Sequence, residues 1–342
     1  MVRSEKIGIQ ITPYSDELVK LHEEFCIKVW PDKKRRRSEK YNRWKFRGKE
    51  KGDVNGLLIA VSEGKVIGQL GLIPVRLKYG KEIFDAQWAC DLIVDPELRK
   101  KGIGNLLFEY GIKRNMVTLG NNPSPNAKAL MLSKGFKHIR SAARMTFPLD
   151  PSDLLNWVLP SRLKFLSGIS GKITMPYFNI KRKKYKSEKT EFEYCDTIAT
   201  APIISLCQTE RDQAEILHDI EFLKWRVDGL ENFSHRLETM KSGEKSYAVH
   251  SHFHPYYNVY DWNCTDEKLF NDMLSEIFTA AVKSGAKTIQ IMANNPIEEK
   301  LLKEAGFIRS RNTETVIQSS PGKSIDSAEY FHFSYYDTDN NL

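Results

Sequence analysis

Arg99-Lys100-Lys101-Gly102-Ile103-Gly104 puts cations and glycines where a chain turns from a strand into a helix. Trp88 to Val94 precedes it as a strand-like run, Asp95-Pro96-Glu97-Leu98 makes the turn, and Ile103, Leu106, Leu107 and Tyr110 then recur at helical spacing. Glycine has no Cβ, so the backbone can approach an anion closely. The first N–H groups of a helix have no partner inside it, and the helix dipole adds a favourable field for negative charge. The stretch predicts a cradle for a phosphorylated carrier. It is not a Walker loop, because no Gly-Lys-Ser/Thr follows. It is not a Rossmann turn either, which needs G-x-G-x-x-G in an early strand–helix–strand unit.

Several strand-like runs come first, and an R-x-x-G-x-G loop follows a strand ending in Val94-Asp95-Pro96. That order resembles the GNAT acetyltransferase superfamily. Downstream, Asn126-Ala127 ahead of Lys134-Gly135-Phe136 resembles the family's N-x-x-A…GF helix. The likeness covers roughly residues 55–140. It implies acetyl-CoA as co-substrate, with the pyrophosphate on Arg99, Lys100, Lys101, Gly102, Ile103 and Gly104. Backbone groups of Leu92, Ile93 and Val94 would contact the thioester, and Asn126 is a cofactor ligand by its place in the motif or else a polar residue serving the helix end. The acyl group would pass directly to an amine acceptor: a small amine, an amino sugar or a peptide.

Such transfer needs a proton acceptor near neutral pH and donors for the carbonyl oxygen. Asp91 is an acid amid apolar neighbours and is the candidate base; on an alternating strand it can equally point to solvent or pair with a lysine. Many family members place a tyrosine four residues before the glycine of the Gly-Phe pair; here that position is Met131, so the usual acid is absent. A thiol of pKa about 8.5 leaves fairly well without one. No Cys or Ser stands beside an evident His base, which argues against an acyl-enzyme. Two other readings remain: an acyl-CoA-binding or sensing module without turnover, and an aminoacyl-transferase-like protein with doubled domains that grips transfer RNA. The latter family generally lacks this loop.

The elements that must position these residues are legible in the patterning. Ile7, Ile9 and Ile11 alternate as a strand; Ser15 is placed to cap a helix carrying Leu18, Leu21, His22, Phe25 and Val29. Leu57 to Val61 and Val66 to Val75 flank Ser62-Glu63-Gly64-Lys65, a hairpin signal. A second copy follows by the same reasoning. Asn295-Pro296 and Gly306-Phe307 mirror Asn122-Pro123 and Gly135-Phe136, Trp225 echoes Trp44, and Glu298 is spaced as a capping-box partner of Asn295. No R-x-x-G-x-G occurs between Tyr247 and the helical stretch Leu269 to Val282. The expectation is an α/β fold on mixed sheets, with two tandem GNAT-like domains. These are an acetyl-CoA-binding domain at 1–148, an apolar-then-basic linker at 149–190, and a degenerate domain at 191–342.

A chain of 342 residues suits two domains. Cys26, Cys90, Cys195, Cys207 and Cys264 are scattered and give neither a disulfide framework nor a thiolate metal site. The net charge of +8 favours anionic partners, and part of it is clustered at Lys33–Arg37 and Lys181–Lys186. A solvated face is the simpler reading of both clusters, as is domain packing for the apolar run from Leu154 to Leu166, with a membrane surface as the alternative. DNA is not expected as a partner and RNA is not favoured. His250, His252 and His254 could share a face and ligate zinc, but no carboxylate partner is near; no metal is assigned. Asp337 and Asp339 read as a frayed, solvated end, with contact to an amine or sugar acceptor as the alternative. With no signal-peptide pattern and no bilayer-length apolar run, the reading is a soluble cytoplasmic protein of open oligomeric state.

Overall fold

The computed structural model describes residues 2–4, 8–32, 37–114, 116–152, 162, 167–185, 190–195, 213–229, 237–243, 246–318, 325 and 330–337. Its contacts divide the chain into two compact units. Unit 1 holds 1–140, 212–217 and 314–329; unit 2 holds 141–211, 218–313 and 330–342. The units therefore do not follow contiguous boundaries at 148 and 190.

Unit 1 begins with β1 (Val2–Ser4), β2 (Ile9–Tyr14), α1 (Val19–Val29) and α2 (Glu39–Lys45). Long strands follow: β3 (Val54–Ser62), β4 (Lys65–Tyr79) and β5 (Glu82–Val94). Then come α3 (Ile103–Ile112), β6 (Val117–Asn121), α4 (Pro125–Ser133) and the start of β7 (Lys137–Pro148). Strands β1 to β5 pair antiparallel in chain order, and β5 pairs parallel with β6. The far side of β6 is taken by Thr315–Gln318, from a strand that arrives late in the chain. Ile11, Leu58, Leu70, Leu107 and Phe136 lie in one buried cluster between α3, α4 and the sheet.

Unit 2 carries the rest of β7, α5 (Ser167–Lys184), β8 (Glu193–Cys195), α6 (Ile220–Arg226), β10 (Glu238–Ser242), β11 (Ser246–Phe253) and β12 (Tyr256–Asn263). It continues with α7 (Glu267–Lys283), β13 (Thr288–Ala293), α8 (Pro296–Glu304), most of β14 (Ile308–Gln318) and β15 (Tyr330–His332); the short β9 (Gln213–Ile216) pairs with β4 in unit 1. Its sheet runs β8-β10-β11-β12-β13-β7, with β12 and β13 parallel. Each unit thus has a parallel pair whose next strand comes from the other half of the sequence: β14 beside β6, and β7 beside β13.

Local chemistry explains most element ends. Ser124 accepts from Ala127 N and starts α4, while Asn295 accepts from Glu298 N and starts α8. The Glu298 carboxylate reaches back to Asn294 N, one residue beyond the usual capping box. Ser15 makes no cap bond; a 3-10 turn at Asp16–Leu18 intervenes, and α1 starts at Val19. Asp16 instead pairs with Arg43 and accepts from Gly52 N, tying α2 and the following loop to the start of α1.

Candidate functional site

β5 ends in an irregularity. Gln69 lies opposite Ile93 and Gly71 opposite Cys90, so Asp91 and Leu92 share one place in the ladder. Asp91 takes a left-handed φ of 47°, which aspartate tolerates better than most residues. Such a bulge bends the strand and frees backbone groups. Its carboxylate accepts from Lys45 Nζ at 2.7 Å, and that lysine is buried. The candidate base is therefore engaged in an ion pair. Gly71 allows the lysine's helix to lie there: a Cβ at Gly71 would stand 2.6 Å from Phe46 Cζ and 2.9 Å from Cys90 Sγ. Lys45 gave no sequence signal, since an isolated lysine in a short helix reads as solvated.

Past Trp88, β5 no longer pairs with β6. Ala89 to Val94, including Leu92, Ile93 and Val94, stay half-exposed along that edge. Asp95 then closes the turn. Its N–H bonds Ile67 O at 3.0 Å, its carboxylate accepts from Glu97 N, and Lys28 Nζ reaches both Asp95 and Glu97. Burial alone would raise the Asp95 carboxyl; the Lys28 bond and the Glu97 N–H outweigh it and hold it below its ordinary value. Asp95→Ala is expected to loosen the turn and raise the KM for the thioester about tenfold, the equivalent of about 1.4 kcal/mol and within the usual cost of a lost cap. Steady-state kinetics with the acceptor saturating would show it.

The turn into α3 is open. Gly102 caps α3 with φ 82°, and a Cβ added there would meet nothing within 4 Å. The first intrahelical bond runs from Leu106 N to Gly102 O, so the N–H groups of Ile103, Gly104 and Asn105 have no partner within the helix. Arg99, Lys100 and Lys101 are exposed around this end, while the Ile103 side chain is buried beneath it. A diphosphate fits this arrangement. Asn126 is exposed in the first turn of α4, and Ser124 rather than Asn126 serves that helix end. Met131 is buried, its Sδ 2.7 Å from where a Cβ of Gly120 would lie, so the place of the expected phenol belongs to the core.

A pocket of about 430 Å³ lies against α1 and α2, lined by Tyr14, His22, Cys26, Ser38, Glu39 and Asn42 among others. His22 bonds Gln69 Oε1 through Nε2 at 2.8 Å, and Gln69 Nε2 makes a long 3.5 Å contact with the Asp91 carbonyl at the bulge. Burial lowers the His22 pKa from its ordinary value, against the opposing Gln69 bond. Sequence adjacency pairs no cysteine with a histidine, but helical spacing brings Cys26 Sγ to 3.6 Å from His22 Nε2 and 3.8 Å from Nδ1. Near-equal distances to both nitrogens put the sulfur off either lone-pair axis, which is poor geometry for thiol activation.

The remaining candidates fall elsewhere. His250 is buried in β11, its Nδ1 taken by the Tyr257 hydroxyl at 2.8 Å, and burial pushes its pKa down to about 4. Among the described residues, no three His, Cys, Asp or Glu side chains come together as a metal site. Asp337 is not frayed: it is fully buried and bonds His218 Nε2 at 2.6 Å. Asp339, Lys33–Arg36, Lys186 and, apart from Arg162, the run 154–166 lie outside the described residues. No described helix is long and apolar enough to cross a membrane.

Residues 15–126 match the acetyltransferase (GNAT) family. No curated protein matches the sequence. Among solved structures, the chain is similar in fold to a GCN5-related N-acetyltransferase from Kribbella flavida (TM-score 0.61, 10% identity, covering 91% of this chain and 72% of that one). It is also similar to one from Anabaena variabilis (TM-score 0.60, 11% identity, 91% and 72% covered).

Proposed function

We propose, from the premise that residues 15–126 form a GNAT acetyltransferase domain, that unit 1 transfers an acetyl group from acetyl-CoA directly to an amine. The observation that carries this reading is the open left-handed Gly102 at the head of α3, beside the stretch of β5 that has parted from β6. The carrier supplies an activated acyl group. The chain's part is to hold the diphosphate at residues 99–105, to lay the arm along Ala89–Val94, and to place the thioester at the Asp91 bulge. Backbone N–H groups freed there are the donors for the developing oxyanion.

The α1/α2 pocket suits the acceptor. Its contact network, His22 to Gln69 to the Asp91 carbonyl, ends at the bulge. Glu23 on its rim offers an ammonium group a counter-charge. With Nε2–H donating to Gln69, His22 keeps the Nδ1 lone pair and can take the amine's proton. A depressed imidazole pKa leaves His22 neutral at pH 7 and lost as a base only below its ordinary range. The acid limb of kcat/KM is therefore expected below pH 6.5, the unperturbed imidazole value. A limb at or above that pH would remove His22 from the role.

Met131 favours one second reading, a carrier-binding module without turnover, because a thioether stands where a phenol would protonate the thiolate. Acetyl-CoA-dependent acetylation of a panel of small amines and amino sugars separates the two. Transfer to any of them supports catalysis; binding without transfer across the panel supports the module.

A further inference from the structure

Helix α5 is held to unit 2 along one side. Phe178 is buried and meets the Phe147 ring edge-on at 5.4 Å, and a Cβ on the buried Gly171 would strike Ser152. On the opposite side Ile173, Tyr177 and Ile180 are 73%, 53% and 70% exposed. At about 100° per residue the three fall within about 60° of one another, so they form one stripe. An apolar stripe left in water on a helix whose other side is packed marks an interaction surface.

The charges are arranged about that stripe. Lys172 and Lys183 lie roughly 80–100° to one side of Ile173, and Lys181 about 80° to the other. Lys181 is tied down, donating to Glu304 O at 3.0 Å with its ammonium 5.8 Å from the centre of the Tyr177 ring. Lys184 shares a cavity with Glu267, Asp272 and Glu304. Lys172 and Lys183 are exposed and have the most charge to offer. The helix carries no acidic residue over its 18 positions.

That composition selects the partner. Lysine stems run beside an apolar stripe and set their ammonium groups at the level of lipid headgroups. A carboxylate on the same face would be repelled by anionic headgroups, whereas a protein groove places no such condition on a helix. We propose that the protein docks on an anionic lipid surface through α5, with Ile173, Tyr177 and Ile180 entering the headgroup boundary and Lys172 and Lys183 against the phosphates. This stands apart from the reading of unit 1 and does not depend on it.

The test is co-sedimentation of the full chain with phosphatidylcholine vesicles, with and without phosphatidylglycerol. Binding is expected with the anionic lipid only, and added salt should weaken it. Ile173→Asn with Ile180→Asn keeps every charge and replaces side chains that stand mostly in water, so the fold should hold; affinity should fall at least about tenfold. Lys172→Gln with Lys183→Gln should weaken binding about 25-fold, since each lysine near an anionic surface contributes roughly fivefold. The same loss of charge at Lys65→Gln with Lys81→Gln, both exposed in unit 1, should cost less than about threefold. Equal binding without the anionic lipid, or no binding with it, would overturn the proposal. So would an asparagine variant that sediments like the intact chain, which is adhesion by net charge alone. A dimer in solution that the asparagine variant dissociates would also overturn it, by assigning the stripe to a second copy.

Discussion

Gly102→Asp is expected to weaken acetyl-CoA binding at least 100-fold, while Gly102→Asn weakens it less than about tenfold. Both side chains tolerate the left-handed backbone that Gly102 adopts at 82°, and both have the same shape. Since a Cβ there meets nothing within 4 Å, neither should disturb the fold. The difference is one negative charge placed against the diphosphate at the head of α3. Like charges brought together at a binding surface cost several kcal/mol, and about 2.7 kcal/mol already corresponds to 100-fold. Calorimetry on the three proteins measures it. Equal losses in both variants would mean that space rather than charge decides the site, and unchanged affinity in Gly102→Asp would remove the loop from carrier binding. Added salt should narrow the gap, because the loop's cations are exposed and screened.

The strand, turn and helix of the loop were legible because everything that specifies them is local. The turn, the glycines and the cations lie within ten residues, and the flanking apolar periods say strand before and helix after. Most elements were legible for the same reason. The exchanged strands were not. β7 and β14 each carry a strand's pattern, but pattern names the element and not its neighbour, and each ends beside the parallel pair of the other half. A contiguous boundary is what local reading returns when the last strand is traded.

Long-range pairings were equally silent. Lys45 meets Asp91 across 46 residues, and His22 meets Gln69 across 47. His22 was read as part of an apolar stripe, which its burial satisfies, yet its ring nitrogen is bound in a polar chain. Asp337 misled for the opposite reason. Charged residues near the end of a sequence are usually solvated, but here two histidines make burial of Asp261 and Asp337 tolerable. The Asp261 carboxyl shows the balance. Burial would raise it, but the His332 bond and charge, with the His218 charge and the Tyr336 hydroxyl, hold it down at about 2.

Asp91→Asn and Lys45→Met are expected to lower kcat/KM by similar amounts, about 100-fold each, and to leave the pH profile in place. A non-glycine residue at φ 47° costs on the order of 1–3 kcal/mol and persists only where its surroundings impose it. Here the ion pair at 2.7 Å between Asp91 and the buried Lys45 is the imposing contact, because it fixes the side chain on which the bulged backbone turns. Removing either partner frees the bulge and shifts the N–H groups that must meet the oxyanion. A misplacement of about 1 Å in such a site costs on the order of 100-fold. The pair also separates two roles for Asp91. As a positioning residue it fails equally whichever partner is lost, and the double variant loses little more than either single one, as coupled neighbours do. As the proton acceptor it would fail in Asp91→Asn, while Lys45→Met would keep the carboxylate and lose far less. Steady-state kinetics across pH on the two single variants and the double variant decide between these roles. Losses that add in the double variant, or a Lys45→Met variant that stays near the intact rate while Asp91→Asn falls, would return Asp91 to the chemistry itself.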